Sequence, residues 1–384
     1  MKIGARELKV EKRPSLSGWH AALISIAALL VALLLFSILF IVSGVDPLEA
    51  YNGIISYAFL NQFGLPLTIN RFIFLLLCTN AFIIPYRAGL WNIGMTGQLY
   101  MGALAVFGVL ALLGARRNGA VAVPPLVVIP ILLVVAAAGG AAYAAIAGGL
   151  KGKYNINEIV ITMIMNFIAF WLVSFMIKEG GAFMGRGGEG ESFQLPANIN
   201  APLIAGVPFT LFVALGLALL LNFMFARTKL GFQIRAYGKS PAAARYAGIN
   251  PVRLPILVFA LGGIMAGLAG YHYFAAVPGV YKITGNYGYY GDLAFYGIIC
   301  GLIAMGNPIA SIPVALLFGG LSIGGRYIQG KLHMSFGVDY ALLGVLMITL
   351  VGFQYFYNNQ IVLKNNRKSS KEESIDVGVH SPES

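Results

Sequence analysis

The chain runs to 384 residues, 58% hydrophobic and only 10% charged, with a mean hydropathy of +0.80. Ordinary soluble domains carry about 25% charged residues, so this composition excludes one. The net charge of +12 gathers at the ends of apolar segments, which points to membrane topology and away from nucleic acid.

Ten apolar segments follow one another at about 19–43, 67–85, 92–113, 121–148, 157–177, 206–226, 254–276, 292–306, 309–325 and 340–358. Most approach the roughly 20 residues needed to cross a bilayer. They predict an all-α, polytopic helical membrane protein in the cell membrane, with a transmembrane domain over 19–358. The first segment, Trp19 to Val42, is too long for a signal h-region and reads as a retained span. Residues 1–18 read as a basic N-terminus. Residues 359–384 read as a polar, disordered tail.

Charge predicts the orientation. With an even number of spans and the N-terminus inside, most of the 26 cations fall on the inner side, from Lys2 to Arg13, at Arg87, Lys151 and Lys153, between Arg227 and Arg253, and from Lys364 to Lys371. Both termini are therefore expected in the cytoplasm. The expected outer side receives Arg71, Arg116, Arg117, Lys178, Arg186, Lys282, Arg326 and Lys331. Two long outer loops are expected, at 44–66 and 178–205. Cys78 and Cys300 lie in apolar surroundings and read as packing residues.

Between the second and third segments, Asn92, Thr96 and Gln98 enter an apolar helix beside Gly94, Gly97 and Gly102. Buried amides in lipid must be paired. They either line a polar pathway or hold helices together by hydrogen bonds, and Asn166 in the fifth segment has the same two readings. At that segment's start, Asn157 and Glu158 suit a helix N-terminus, where an acid is favoured. Glu158 reads as a cap or as a partner for a loop cation.

The loop from Arg227 to Arg253, RTKLGFQIRAYGKSPAAARYAGINPVR, holds six cations and no acid. It contains a short helix in outline. Ser240 caps, Pro241 suits the first position, Ala242 to Ala244 favour helix, and Gly248 ends it. Arg235, Gly238, Pro241, Ala244, Arg245 and Gly248 are the candidate contacts for a motor subunit; a basic connector is the plain alternative. Further on, Tyr271, His272 and Tyr273 suit an interfacial aromatic belt. Gly297xxxGly301 and Gly320xxxGly324 are close-packing motifs. Gly306-Asn307-Pro308 reads as a tight turn. The chain shows no P-loop, no HExxH and no paired mid-membrane carboxylates, so neither an enzyme nor a cofactor or metal site is expected. The scarcity of mid-membrane acids also argues against an ion-coupled secondary transporter, the reading from another class.

Four phrases then carry a resemblance. They are Arg87-Ala88-Gly89-Leu90-Trp91-Asn92-Ile93-Gly94 with Gly97-Gln98; Asn157-Glu158-Ile159-Val160 with Thr162, Met165 and Asn166; Gly231-Phe232, Ile234-Arg235-Ala236, Gly238, Pro241 and Ala243 to Ile249; and Phe295-Tyr296-Gly297-Ile298 before Asn307-Pro308. In that order they resemble ABC importer permeases of the ribose and branched-chain amino-acid type, most closely the nucleoside or simple-sugar branch. The chain departs in having Trp91 where the family has Phe, and Ile299 to Ala304 where it has Ala-Val-Ala-Leu-Leu-Gly.

The resemblance implies a non-enzymatic transport subunit that pairs with a second permease (the same or a sister chain), an ABC ATP-binding subunit and an extracellular substrate-binding protein. Loop 227–253 would be the coupling element on the ATPase. By their polarity and position, Asn92, Gln98 and Asn166 are the candidates to border the pathway, whose cargo the resemblance gives as a nucleoside or related sugar, with simple sugars or branched-chain amino acids as the alternative.

Overall fold

A computed structural model describes residues 2–3, 6–12, 18–178, 180–185, 190–204, 206–284, 287–334 and 337–365. The chain forms two compact units, one of residues 1–44 with 344–384 and one of 45–343.

In the first unit, α1 (Gly18–Val42) is a long apolar helix. Strands β1 (Lys2–Ile3), β2 (Arg6–Lys12) and β5 (Asn359–Asn365) form an antiparallel sheet in the order β1-β2-β5. Part of the tail expected to be disordered is thus a strand, because Arg6 to Lys12 offers it a continuous partner from Asn365 to Asn359. Residues 366–384 lie outside the described residues.

The second unit begins where an outer loop is expected. Instead, residues 47–60 are helical. In α2 (Pro47–Ile55), Asp46 accepts from the Leu48 amide at 2.9 Å and Pro47 takes the first turn, a complete N-terminal cap. A π-helical turn, Ser56–Leu60, continues it. Then come α3 (Gly64–Arg87), α4 (Met95–Leu112), the single turn α5 (Ala115–Asn118), α6 (Pro125–Tyr154) and α7 (Glu158–Ile177). The 178–205 region holds the bridge Met184↔Ser192 and the start of a small hairpin, β3 (Leu203–Ile204) with β4 (Val207–Pro208). Next are α8 (Thr210–Arg227), α9 (Lys229–Lys239), α10 (Pro241–Tyr246), α11 (Arg253–Tyr271) with a π-helical end to Ala276, α12 (Tyr287–Ile303), α13 (Ser311–Lys331) and α14 (Val338–Asn358), which runs on into the first unit.

Each of the ten apolar segments coincides with a helix. Among the described residues, seven of these helices are long and apolar enough to cross a membrane: α3, α4, α6, α7, α8, α11 with its π-helical end, and α13. On α7, Phe167, Ile168, Trp171 and Phe175 stand exposed, as do Phe212, Leu219, Leu220 and Phe223 on α8. These faces suit lipid, not water.

α3 is the centre, buried almost continuously from Arg71 to Pro85 and packed by α8, α11, α12 and α13. Glycine brings backbones together around it. A Cβ on Gly297 would lie 2.6 Å from the Cβ of Cys78. The tightest seam joins α6 to α11. A Cβ on Gly267 would fall 2.1 Å from the Ala136 carbonyl oxygen, and one on Gly263 would fall 2.3 Å from that of Gly140. Small residues permit this approach, which is how membrane helices gain dispersion energy without a hydrophobic driving force.

Candidate functional site

The loop between α8 and α11 folds as two short helices. Thr228 accepts from the Gly231 amide at 3.1 Å and starts α9. That helix buries Gly231, Ile234 and Tyr237 on one side and exposes Phe232, Gln233 and Lys239 on others. Ser240 then accepts from the Ala243 amide at 3.3 Å, Pro241 takes the first turn of α10, and Gly248 follows at φ +82°. The expected helix is present with its expected cap and stop. Ala244 is buried and anchors it, while Pro241, Arg245 and Gly248 are exposed. Tyr246, which stands in the third phrase of the resemblance but not among the candidate contacts, is 94% exposed.

What supports this tip is a contact between two of the sequence phrases. α3 ends in a turn at Gly89, φ +72°, a conformation glycine adopts without penalty. Gly238 on α9 lies against that turn. A Cβ there would come within 2.4 Å of the Arg87 carbonyl oxygen and 3.1 Å of the Gly89 nitrogen. Arg87 continues the path. Its Nε donates to the Gly306 carbonyl at 2.6 Å, and its guanidinium sits 5.3 Å from the centre of the Phe225 ring. Gly306, φ +67°, belongs to the expected tight turn between α12 and α13, where Asn307 accepts from the Ile309 amide at 2.9 Å. The α9–α10 unit is therefore joined through backbone to α3 and onward to the α12–α13 turn. Arg235 is half-buried near Arg87, close enough for their charges to interact. Burial raises the Tyr237 phenol above its ordinary value, while nearby Lys151 acts in the opposite sense.

A second cluster closes the break between α3 and α4. Asn92 donates to the Gln98 side-chain oxygen at 3.0 Å, and Gln98 returns a bond at 2.8 Å. Asn166 accepts from the Gly97 amide at 2.8 Å and donates to the Ile93 carbonyl at 2.9 Å. Thr162 receives the Ile93 amide at 3.3 Å. All three predicted amides come together, buried and spent on α4, α7 and the link between α3 and α4. Asn166 thereby ties α7 to α4 and to the link, whereas Asn92 and Gln98 bond each other within the link and the start of α4. Glu158 accepts from the Trp91 amide at 3.4 Å and pairs at 2.9 Å with Lys151, so it does partner a cation, one that stands in the last turn of α6 and not in a loop. Asn157 is the cap, accepting from the Ile159 amide at 2.9 Å.

His272 departs from expectation. It is fully buried, its Nδ1 2.8 Å from the Thr210 hydroxyl and its Nε2 3.0 Å from the Asn70 carbonyl. It joins α8, α11 and α3 and is no part of an interfacial belt. A lone histidine carries no sequence signal for such a joint. Among the expected outer cations, Arg116 donates to the Ala182 carbonyl at 2.6 Å and Lys282 pairs with Glu191 at 2.6 Å. Arg186 and the side chain of Arg117 lie outside the described residues. No group of three or more metal-ligating side chains occurs among the described residues.

A bundle of lipid-faced helices, knitted internally by amides and glycines and carrying a rigidly seated helical tip, defines a multi-pass membrane transport subunit. The family model described as the permease component of the branched-chain amino acid transport system matches residues 65–351, and the chain belongs to this family. It is similar to the glucose ABC transporter permease protein TsgB13 of Haloferax volcanii, 28% identical over 90% of both chains. It is also similar to the guanosine ABC transporter permease protein NupP of Bacillus subtilis, 27% identical over 79% of this chain and 85% of that one. The nucleoside ABC transporter permease protein NupB of Lactococcus lactis is 26% identical over 79% of this chain and 83% of its own. No solved structure matches significantly.

Proposed function

We propose that this permease forms the translocation pathway of an ATP-driven importer for a nucleoside or related sugar. The guanosine and nucleoside permeases support that cargo class, and the glucose permease favours simple sugars as the second reading. The permease works beside a second permease, the same or a sister chain, with an extracellular substrate-binding protein and an ABC ATP-binding subunit that performs the hydrolysis. Both termini lie in the cytoplasm. The antiparallel pairing of β2 with β5 supports this, since it keeps the two ends of the chain on one side.

The observation that carries the mechanism is the seat of α10. Its exposed face, with Arg245 and Tyr246, meets the ATP-binding subunit. Its rigid base, Gly238 on the Arg87-to-Gly89 turn, transmits displacement to α3. α3 is packed by α8, α11, α12 and α13, so movement of its end tilts the helices that surround it. In this reading Asn92, Gln98 and Asn166 border the pathway, with Asn166 holding α7 to α4.

Reversing the charge at Arg245 tests the coupling. Arg245→Glu should abolish ATP-driven uptake in proteoliposomes while membrane insertion and thermal stability stay at wild-type levels, because the side chain is exposed. Uptake that persists without any ATP-binding subunit would sink the proposal in favour of an ion-coupled transporter.

A further inference from the structure

The π-helical turn after α2 ends at the start of α3, and α3 runs 24 residues, about 36 Å, from there to the Arg87 turn. At this far end a pocket of about 220 Å³ opens between α2, the π-helical turn and the last turns of α13. Two aromatic rings meet in it. Tyr57 and Tyr327 stack with centroids 3.8 Å apart and planes 1° from parallel. Around them stand Glu49, Asn52, Asn61 and Lys331.

The amides are oriented by local bonds. The Asn61 side-chain oxygen accepts from the Phe63 amide at 2.8 Å and the Gly64 amide at 3.3 Å, starting α3. The Asn52 oxygen accepts from the Ser56 hydroxyl at 3.3 Å. Both amides thus use their oxygens locally, and their NH2 groups are what they offer to a solute. Lys331 adds donors and Glu49 adds an acceptor.

The walls are held stiffly. Cβ atoms on Gly53, Gly320 and Gly324 would meet Ile328, Phe59 and Ile54 within 2.3, 2.1 and 2.6 Å, so α2 and α13 are in close contact along their length. A site on such elements is preorganised rather than adaptable.

We propose that this pocket is a weak binding site for a neutral, hydroxyl-bearing ring solute on its way into the membrane domain. The stacked pair leaves each tyrosine one outer face, and such a face suits the flat, apolar face of a sugar ring or a nucleobase. The donors and the carboxylate suit hydroxyl groups around its edge. The volume lies below the roughly 300–1,000 Å³ of clefts for drug-sized ligands, so the pocket accepts one ring rather than an oligosaccharide. The inference rests on the import of nucleosides or sugars and adds the place where the membrane domain first holds them.

The test uses the permease with its ATP-binding subunit in nanodiscs, without the substrate-binding protein. Saturation-transfer NMR reads the contact of guanosine and of glucose with the complex. Uptake of both is measured in parallel in proteoliposomes that contain the binding protein. We expect a transfer signal from whichever solute is taken up. Tyr327→Phe should retain it, since the ring face remains, while Asn52→Ala and Lys331→Met should lose it. Both of the latter side chains are exposed, so the fold should survive their change. A wild-type complex that imports a solute but gives no signal would overturn the pocket, as would a signal that survives both Asn52→Ala and Lys331→Met. A wild-type complex that imports neither solute would overturn the functional reading itself.

Discussion

Replacing Gly238 by alanine adds one methyl group at the joint between the α10 tip and the bundle. The new Cβ would stand 2.4 Å from the Arg87 carbonyl oxygen and 3.0 Å from the Ala88 carbonyl carbon. Carbon–oxygen contacts settle at about 3.3–3.6 Å, so α9 must retreat by about 1 Å. The obstacle is backbone and cannot rotate away. Overpacking of this kind costs about 1–3 kcal/mol. Alanine regains about 0.5–1 kcal/mol as a better helix former than glycine, which leaves from near zero to about 2.5 kcal/mol, centred on about 1.3 kcal/mol, against the docked α9–α10 unit. At 1.4 kcal/mol per decade the central value is roughly a tenfold shift toward the undocked arrangement. The assay is the number of ATP molecules hydrolysed per solute imported in proteoliposomes. Gly238→Ala should raise that ratio while hydrolysis itself continues. Gly149→Ala on α6 is the control, since nothing lies within 4 Å of its new methyl group. Wild-type stoichiometry in Gly238→Ala would refute transmission through this contact.

Three further outcomes follow from the packing. Asn166→Leu strands the buried Gly97 amide and the half-buried Ile93 carbonyl; at about 1–3 kcal/mol for the buried group, a thermal unfolding scan in detergent should show a clear loss. Asn92 and Gln98 bond each other twice, so a double-mutant cycle to alanine should give a coupling of about 0.5–3 kcal/mol, and additive effects would contradict the mutual pairing. Gly267→Val would press α11 off α6, where the first carbon added already meets the Ala136 carbonyl at 2.1 Å; folded yield should collapse, whereas Gly216→Val on α8, with open space around it, should be tolerated.

The helices were legible in the sequence because a membrane leaves the backbone little choice. A 20-residue apolar run must satisfy its own peptide groups, and a helix is the local way to do so. The ends of α7 and α10 were legible for a local reason too, since Asn157, Ser240 and Pro241 act on neighbours within three residues. The segment 47–60 was legible in part. Asp46 and Pro47 form a cap signal, but without a spanning length the stretch reads as a loop. The β5 strand escaped because its partner lies at the opposite end of the chain.

The partners of the polar groups belong to the tertiary structure alone. An asparagine in an apolar helix announces that it must be paired, but Asn166 finds Gly97 and Ile93 on another element, and no periodicity encodes that distance. The same holds for Gly238 against the Arg87 turn and for His272 between Thr210 and Asn70. Sequence by itself determined which segments form apolar helices and where a helical tip begins and ends, because hydropathy and capping act locally. Only the packed bundle decided what that tip rests on, because contact between remote backbones depends on how the helices cross.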